Sequence, residues 1–122
     1  MKIYKRGIRE VTSEEQEKAT GNCYIRAFEF MNKLIPDEKE NARLVHGKIV
    51  GITGSVRDVR FGHAWVEVGD IVYELPKGKR KPRITKKDTY YKTYMVSDTK
   101  KYTHQEMYQI GLKNGGNYGP WE

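Results

Sequence analysis

The sequence predicts an α+β fold, with one helix bearing the only cysteine packed on a small antiparallel sheet and a second helix near the C-terminus. Three observations predict it. Tyr24, Ala27, Phe28, Met31, Leu34 and Ile35 recur at helical spacing and make one apolar stripe. Residues 43–76 are rich in β-branched side chains and alternate around a Gly69-Asp70 turn. Thr103-x-x-Glu106 is a capping-box pattern that opens a final helix. Helix first, then mostly strands, then one helix is the order of an α+β domain.

The elements follow in order. Residues 2–11 alternate weakly (Ile3, Ile8, Val11) and predict a short strand or extended arm. Ser13-x-x-Gln16 predicts a helix starting at Ser13. Gly21 and Asn22 interrupt it, Asn22 caps the cysteine helix, and Pro36 stops that helix. Residues 37–42 read as a polar loop, 43–53 as a strand, and GSVRD as a turn. Residues 59–68 and 71–76 form a hairpin, 77–87 a loop or protruding ribbon, and 88–96 a strand. The final helix ends near Gly115-Gly116, and the aromatic tail NYGPWE docks back.

At 122 residues the chain is one domain, residues 1–122, able to bury a core without staples. Leu, Ile, Val and Phe make up only about a fifth of it, so nine Tyr and two Trp carry much of the apolar bulk. No apolar run is long enough to span a membrane. MKIYKRGIREV lacks the apolar stretch of a secretory signal, and a single Cys excludes an internal disulfide, so a cytoplasmic location is expected. The lone Cys also excludes a structural zinc site built on several thiolates. The His and Cys spacing matches no metal motif, and the glycines of GKIVGITGS fit no phosphate-binding loop, so neither metal nor cofactor is expected.

The net charge is +7, with the excess concentrated in Lys77, Lys79, Arg80, Lys81, Arg83, Lys86 and Lys87. Such a segment contacts nucleic acid phosphates, steers an acidic protein, or is simply solvated. Tyr90, Tyr91 and Tyr94 follow it and are candidate platforms for stacked bases. No helix-turn-helix, zinc-finger or RNP pattern accompanies them.

Cys23 stands at the first turn of the strong helix, where the helix dipole and unpaired N–H groups favour a thiolate. The alternative is a small buried hydrophobe. The two-residue turn sets Trp65 opposite Glu74, so His63 and Glu74 become diagonal neighbours on one sheet face, roughly 7 Å apart. Glu74 then accepts from one imidazole nitrogen and leaves the other for a nucleophile. A slip of one residue would put Glu74 on the opposite face. The other hairpin face is the more apolar, so the sheet must be covered on both sides or curled for Cys23 to meet His63. His46 is a spare base or a structural histidine, and His104 a solvated one.

GNCY at 21–24, RLVHG at 43–47, GHAWVE at 62–67, VYE at 72–74, KYTHQEM at 101–107 and YGPW at 118–121 resemble the papain-like and transglutaminase-like cysteine enzymes, small bacterial and phage members among them. The resemblance covers most of residues 20–121. It implies Cys23 as nucleophile, His63 as general base and then acid, and Glu74 as orienter, in the place where Asp is usual. By the same analogy Gln16 completes an oxyanion site with the Cys23 N–H, with Asn22 and Tyr24 as alternatives. Trp65, which shares the His63 face, and Tyr24 are candidate walls of the site, although Trp65 also suits a packing role. The expected activity is hydrolysis or transfer at an amide or thioester acyl bond, with a protein or peptide as substrate. The rival expectation is a binding protein that uses its basic segment on nucleic acid or an acidic host protein.

Overall fold

The computed structural model describes residues 7–20, 23–34, 36–75, 81–116 and 118–121. Its architecture is α+β. The strands are β1 (Arg9–Glu10), β2 (Ala42–Val50), β3 (Val59–Val68), β4 (Ile71–Glu74), β5 (Arg83–Lys86) and β6 (Ser97–Tyr102). The helices are α1 (Ser13–Thr20), α2 (Cys23–Lys33), α3 (Pro36–Glu40), α4 (Lys87–Thr93) and α5 (His104–Lys113). The sheet runs β5-β4-β3-β2-β6, all antiparallel, and β1 adds a short parallel pairing to β3. Among the described residues no helix is long and apolar enough to cross a membrane.

Both faces of the sheet are covered. On one face Tyr24, Ala27 and Met31 of α2 meet Leu44, Ala64 and Val66, with Met107 of α5 and Trp121 of the tail. On the other, Val45, Ile49, Phe61, Trp65 and Val72 pack against Tyr90 of α4. The apolar stripe thus lies where its period placed it, while Ile35 is outside the described residues. The tail docks as expected, with Trp121 only 7% exposed and Tyr118 set edge-on to Phe28.

The expected hairpin register is present: Val68 pairs with Ile71, Glu67 with Val72 and Val66 with Tyr73. Gly69 supplies the positive φ of 61° that this turn needs at its first central residue. Thr103 and Glu106 form the expected capping box on α5.

Three expectations need correction, one is refined, and one strand was not expected. Residues 88–96 are not a strand: α4 covers Lys87–Thr93. The tyrosines favour β structure by propensity, but their i, i+4 spacing sets the Tyr90 and Tyr94 rings 4.8 Å apart on one helix face. Residues 37–42 are not all loop, because Pro36 opens α3, with Asp37 and Glu38 in its first turn. Of the segment 77–87, expected as a loop or a protruding ribbon, Arg83–Lys86 form an edge strand paired with β4. Residues 97–102 form a strand that their polar composition hid. As an edge strand carrying Lys100 and Lys101 it has no need of an apolar face. The cap of α1 is Thr12 with Glu15, one residue earlier than the expected Ser13 with Gln16. That shift leaves Gln16 facing the sheet. Asn22, Lys77, Lys79 and Arg80 lie outside the described residues.

Candidate active site

The site forms at a gap in the sheet. Along one edge of β3, β1 pairs with residues 59 and 60 and β4 with residues 66–68. Between these two pairings Gln16 of α1 occupies the edge with its side chain. Its Oε1 accepts from Gly62 N at 2.8 Å and its Nε2 donates to Gly62 O at 3.0 Å. The amide therefore satisfies the backbone groups that a neighbouring strand would otherwise take. Gly62 is required here, because a Cβ would lie 2.7 Å from Tyr24 Oη and 3.3 Å from Gln16 Nε2. Gly62→Ala is expected to push α1 and the Tyr24 ring off β3 and to cost about 1–3 kcal/mol. A lowered urea midpoint by tryptophan fluorescence would show it, and an unchanged midpoint would refute the close packing.

His63 follows Gly62 on β3 and points to the α4 side. Its Nε2 lies 2.8 Å from Glu74 Oε2. The two residues expected to meet across the hairpin therefore do. The same Oε2 accepts the Tyr90 hydroxyl at 2.7 Å, and Oε1 accepts Arg83 Nη1 at 3.3 Å. Arg83 Nη1 also donates to Tyr94 Oη at 3.1 Å.

Cys23 begins α2, which packs on the opposite face, and its sulfur interacts with the His63 ring. Arg26, one turn further along α2, fixes this end of the helix by donating from Nε to Leu75 O at 3.0 Å. Glu74 occupies Nε2, which leaves Nδ1 as the ring nitrogen open to the thiol. Nδ1 is buried and has no hydrogen-bond partner among the described residues. Burial alone would lower the ring's pKa. Interaction with the Cys23 sulfur and the Glu74 carboxylate outweighs burial and raises it to about 9. Glu74 is held below the usual carboxylate range: burial acts to raise it, but His63, Tyr90 and Arg83 together prevail. The arrangement stabilises an imidazolium flanked by a thiol and a carboxylate.

The other expected site residues fall elsewhere. Trp65 is fully buried and lies against His63, with ring centroids 6.1 Å apart, so it supports the ring from within the core and walls no cleft. Tyr24 is 9% exposed, between Gly62 and His46. Tyr90 is fully buried and Tyr91 donates its hydroxyl to Glu67, so neither is a platform for bases. Lys81 is exposed, and Lys86 and Lys87 continue the basic segment along β5 into α4.

Two features escaped sequence reasoning. Glu67 is a second buried carboxylate, accepting from Trp65 Nε1 at 3.1 Å, from Tyr91 and from Lys101 Nζ at 2.9 Å. The alternation of β3 put it on the His63 face beside Trp65, but its other two donors come from α4 and β6, elements that sequence had misassigned or missed. His46 sits on the opposite face from His63, buried among the rings of Tyr24, Tyr102 and Trp121. It packs as a core ring, away from the pairing of His63 with Glu74. Among the described residues no cluster of three metal-ligating side chains is present.

Comparison of the chain with protein-family models, curated proteins and solved structures gives no match. The function therefore has to be argued from the geometry of the site.

Proposed function

We propose that the protein is an intracellular cysteine hydrolase or acyltransferase that acts on an amide or thioester acyl bond. The observation that carries this is the 2.8 Å pairing of His63 Nε2 with Glu74 Oε2, on the ring that the thiol at the start of α2 also engages. A base, its orienter and a nucleophile from three separate elements converge on one imidazole.

In this mechanism the Cys23 sulfur attacks the acyl carbon and a C–S bond forms. The backbone N–H of Cys23, at the start of α2, donates to the developing oxyanion. Gln16, expected there by analogy, has its amide on Gly62 and serves to brace the strand. The tetrahedral intermediate collapses with cleavage of the bond to the leaving group, and His63 Nδ1 gives that group its proton. Water or an amine, deprotonated by His63, then attacks the thioester and releases Cys23. Glu74 keeps the proton on Nε2 throughout, so that Nδ1 faces the reacting atoms. Cys23 is only 2% exposed, which favours a slender acyl group. The cations Lys81, Arg83, Lys86 and Lys87 lie on β5 and its flanks, with Arg83 paired to Glu74, and would draw an acidic protein substrate toward the site. A free thiol suits a reducing cytoplasm.

Acyl transfer to the thiol is directly measurable. A panel of small acyl thioesters and p-nitrophenyl esters at pH 6.5 should add one acyl mass to the intact protein. Peptide mapping should place it on Cys23, and Cys23→Ala should take up none. Equal labelling of wild type and variant, or no label from any donor, would remove the enzyme reading.

A further inference from the structure

We infer that Tyr90 is a positioning residue of this site: from α4 it holds Glu74 Oε2 on the His63 ring, while Arg83 of β5 holds the other oxygen. The inference rests on the triad reading proposed above.

A glutamate in the orienting position has one more rotatable bond than an aspartate. Left alone it would sample several rotamers and meet the imidazole only part of the time. Here both oxygens are engaged. Oε2 receives His63 Nε2 at 2.8 Å and Tyr90 Oη at 2.7 Å, and Oε1 receives Arg83 Nη1 at 3.3 Å. Tyr90 has no exposed surface and cannot swing away. Its ring packs 5.3 Å from Trp65, whose ring in turn lies 6.1 Å from His63. One aromatic stack thus sets the imidazole and the donor that fixes its carboxylate. Burial and the Glu74 charge both raise the Tyr90 pKa, so the phenol remains a donor over the whole working range. The titratable and charged groups facing this carboxylate are His63 on β3, with Cys23 beyond it on α2, Tyr90 and Tyr94 on α4, and Arg83 on β5. Sequence reasoning placed Tyr90 in a strand and gave it no part in the site.

Iodoacetate separates this role from simple packing. An imidazolium attracts that anion, so a coupled pair reacts fast until His63 loses its proton, which the structure sets near pH 9. Tyr90→Phe keeps the ring and removes only the hydroxyl. It should bring the alkaline limb of the rate profile down by about one pH unit and slow alkylation at pH 8 severalfold. Arg83→Gln, at a half-exposed side chain, should move the limb the same way by about half as much. An alkaline limb left in place, even with a lower unfolding midpoint, makes Tyr90 structural only and overturns the inference. Where Tyr90→Phe fails to fold, Arg83→Gln decides by the same criterion. A wild-type profile that rises as an ordinary thiol, with no alkaline fall, sinks the triad reading before any variant is compared, and the positioning role with it.

Discussion

Replacing His63 with alanine is expected to cut the rate of Cys23 alkylation by iodoacetamide at pH 6 on the order of 10²-fold. A free thiol near its ordinary pKa of about 8.5 is almost wholly protonated at pH 6 and reacts on the order of 10²-fold more slowly there than at pH 8. A thiol that shares its proton with His63 keeps most of its rate at pH 6. Cys23 is the chain's only cysteine, so intact mass reads the reaction without ambiguity. Its 2% exposure slows every reagent, so each protein is read by its own ratio of rates at pH 6 and pH 8, in which burial cancels. Glu74→Gln should give a smaller loss, because the amide still fills the space but carries no charge to hold the imidazolium. If wild type and His63→Ala show the same pH dependence, the two side chains are not coupled and Cys23 is a core residue.

Acid should destabilise the fold through His46, starting well above the range in which carboxylates titrate. His46 is 5% exposed, neither ring nitrogen has a hydrogen-bond partner among the described residues, and Gly119 packs so closely that a Cβ there would lie 2.5 Å from Cε1. Burial, with a smaller push from Lys100, lowers its pKa to about 4. In the unfolded chain the group titrates near 6.5. The unfolded state therefore takes up the proton first as pH falls. The stability that depends on a neutral His46 is complete above pH 6.5 and is lost progressively down to pH 4, by about 3 kcal/mol in all. That is a large share of a small domain's total.

His63 has the opposite sign. Its raised pKa contributes stability that is full below 6.5 and lost as pH climbs through 9, so it adds no slope on the acid side. His104, with a pKa lowered by partial burial and by Lys39, acts in the same direction as His46. Urea unfolding between pH 4.5 and 7.5 tests this. His46→Leu should flatten most of the slope while keeping the pH 7.5 midpoint, and His104→Gln should leave most of it. A slope that survives His46→Leu assigns the acid lability to another group.

Much of the site was legible before any coordinates. Gly69-Asp70 determined a two-residue turn, the turn determined the register, and the register put Glu74 diagonal to His63. These are local relations, governed by backbone geometry over a dozen residues. The α2 stripe and the Thr103 cap were readable for the same reason. The remainder depended on partners distant in sequence. Residues 87–93 have strand-like composition, yet they are helical because two buried carboxylates, Glu74 and Glu67, accept the hydroxyls of Tyr90 and Tyr91. Gln16 looked like a cap or an oxyanion donor, but the vacancy it fills exists only because β1 and β4 stop short of each other along β3.

The sequence by itself determined the hairpin, the cysteine helix and the pairing of His63 with an acid. Only the tertiary structure decided how a thiol on one face of the sheet meets an imidazole on the other. Side-chain periodicity assigns a residue to a face, and Cys23 and His63 belong to opposite faces. They interact because α2 and the strands are packed together by partners distant in sequence, which no local pattern specifies.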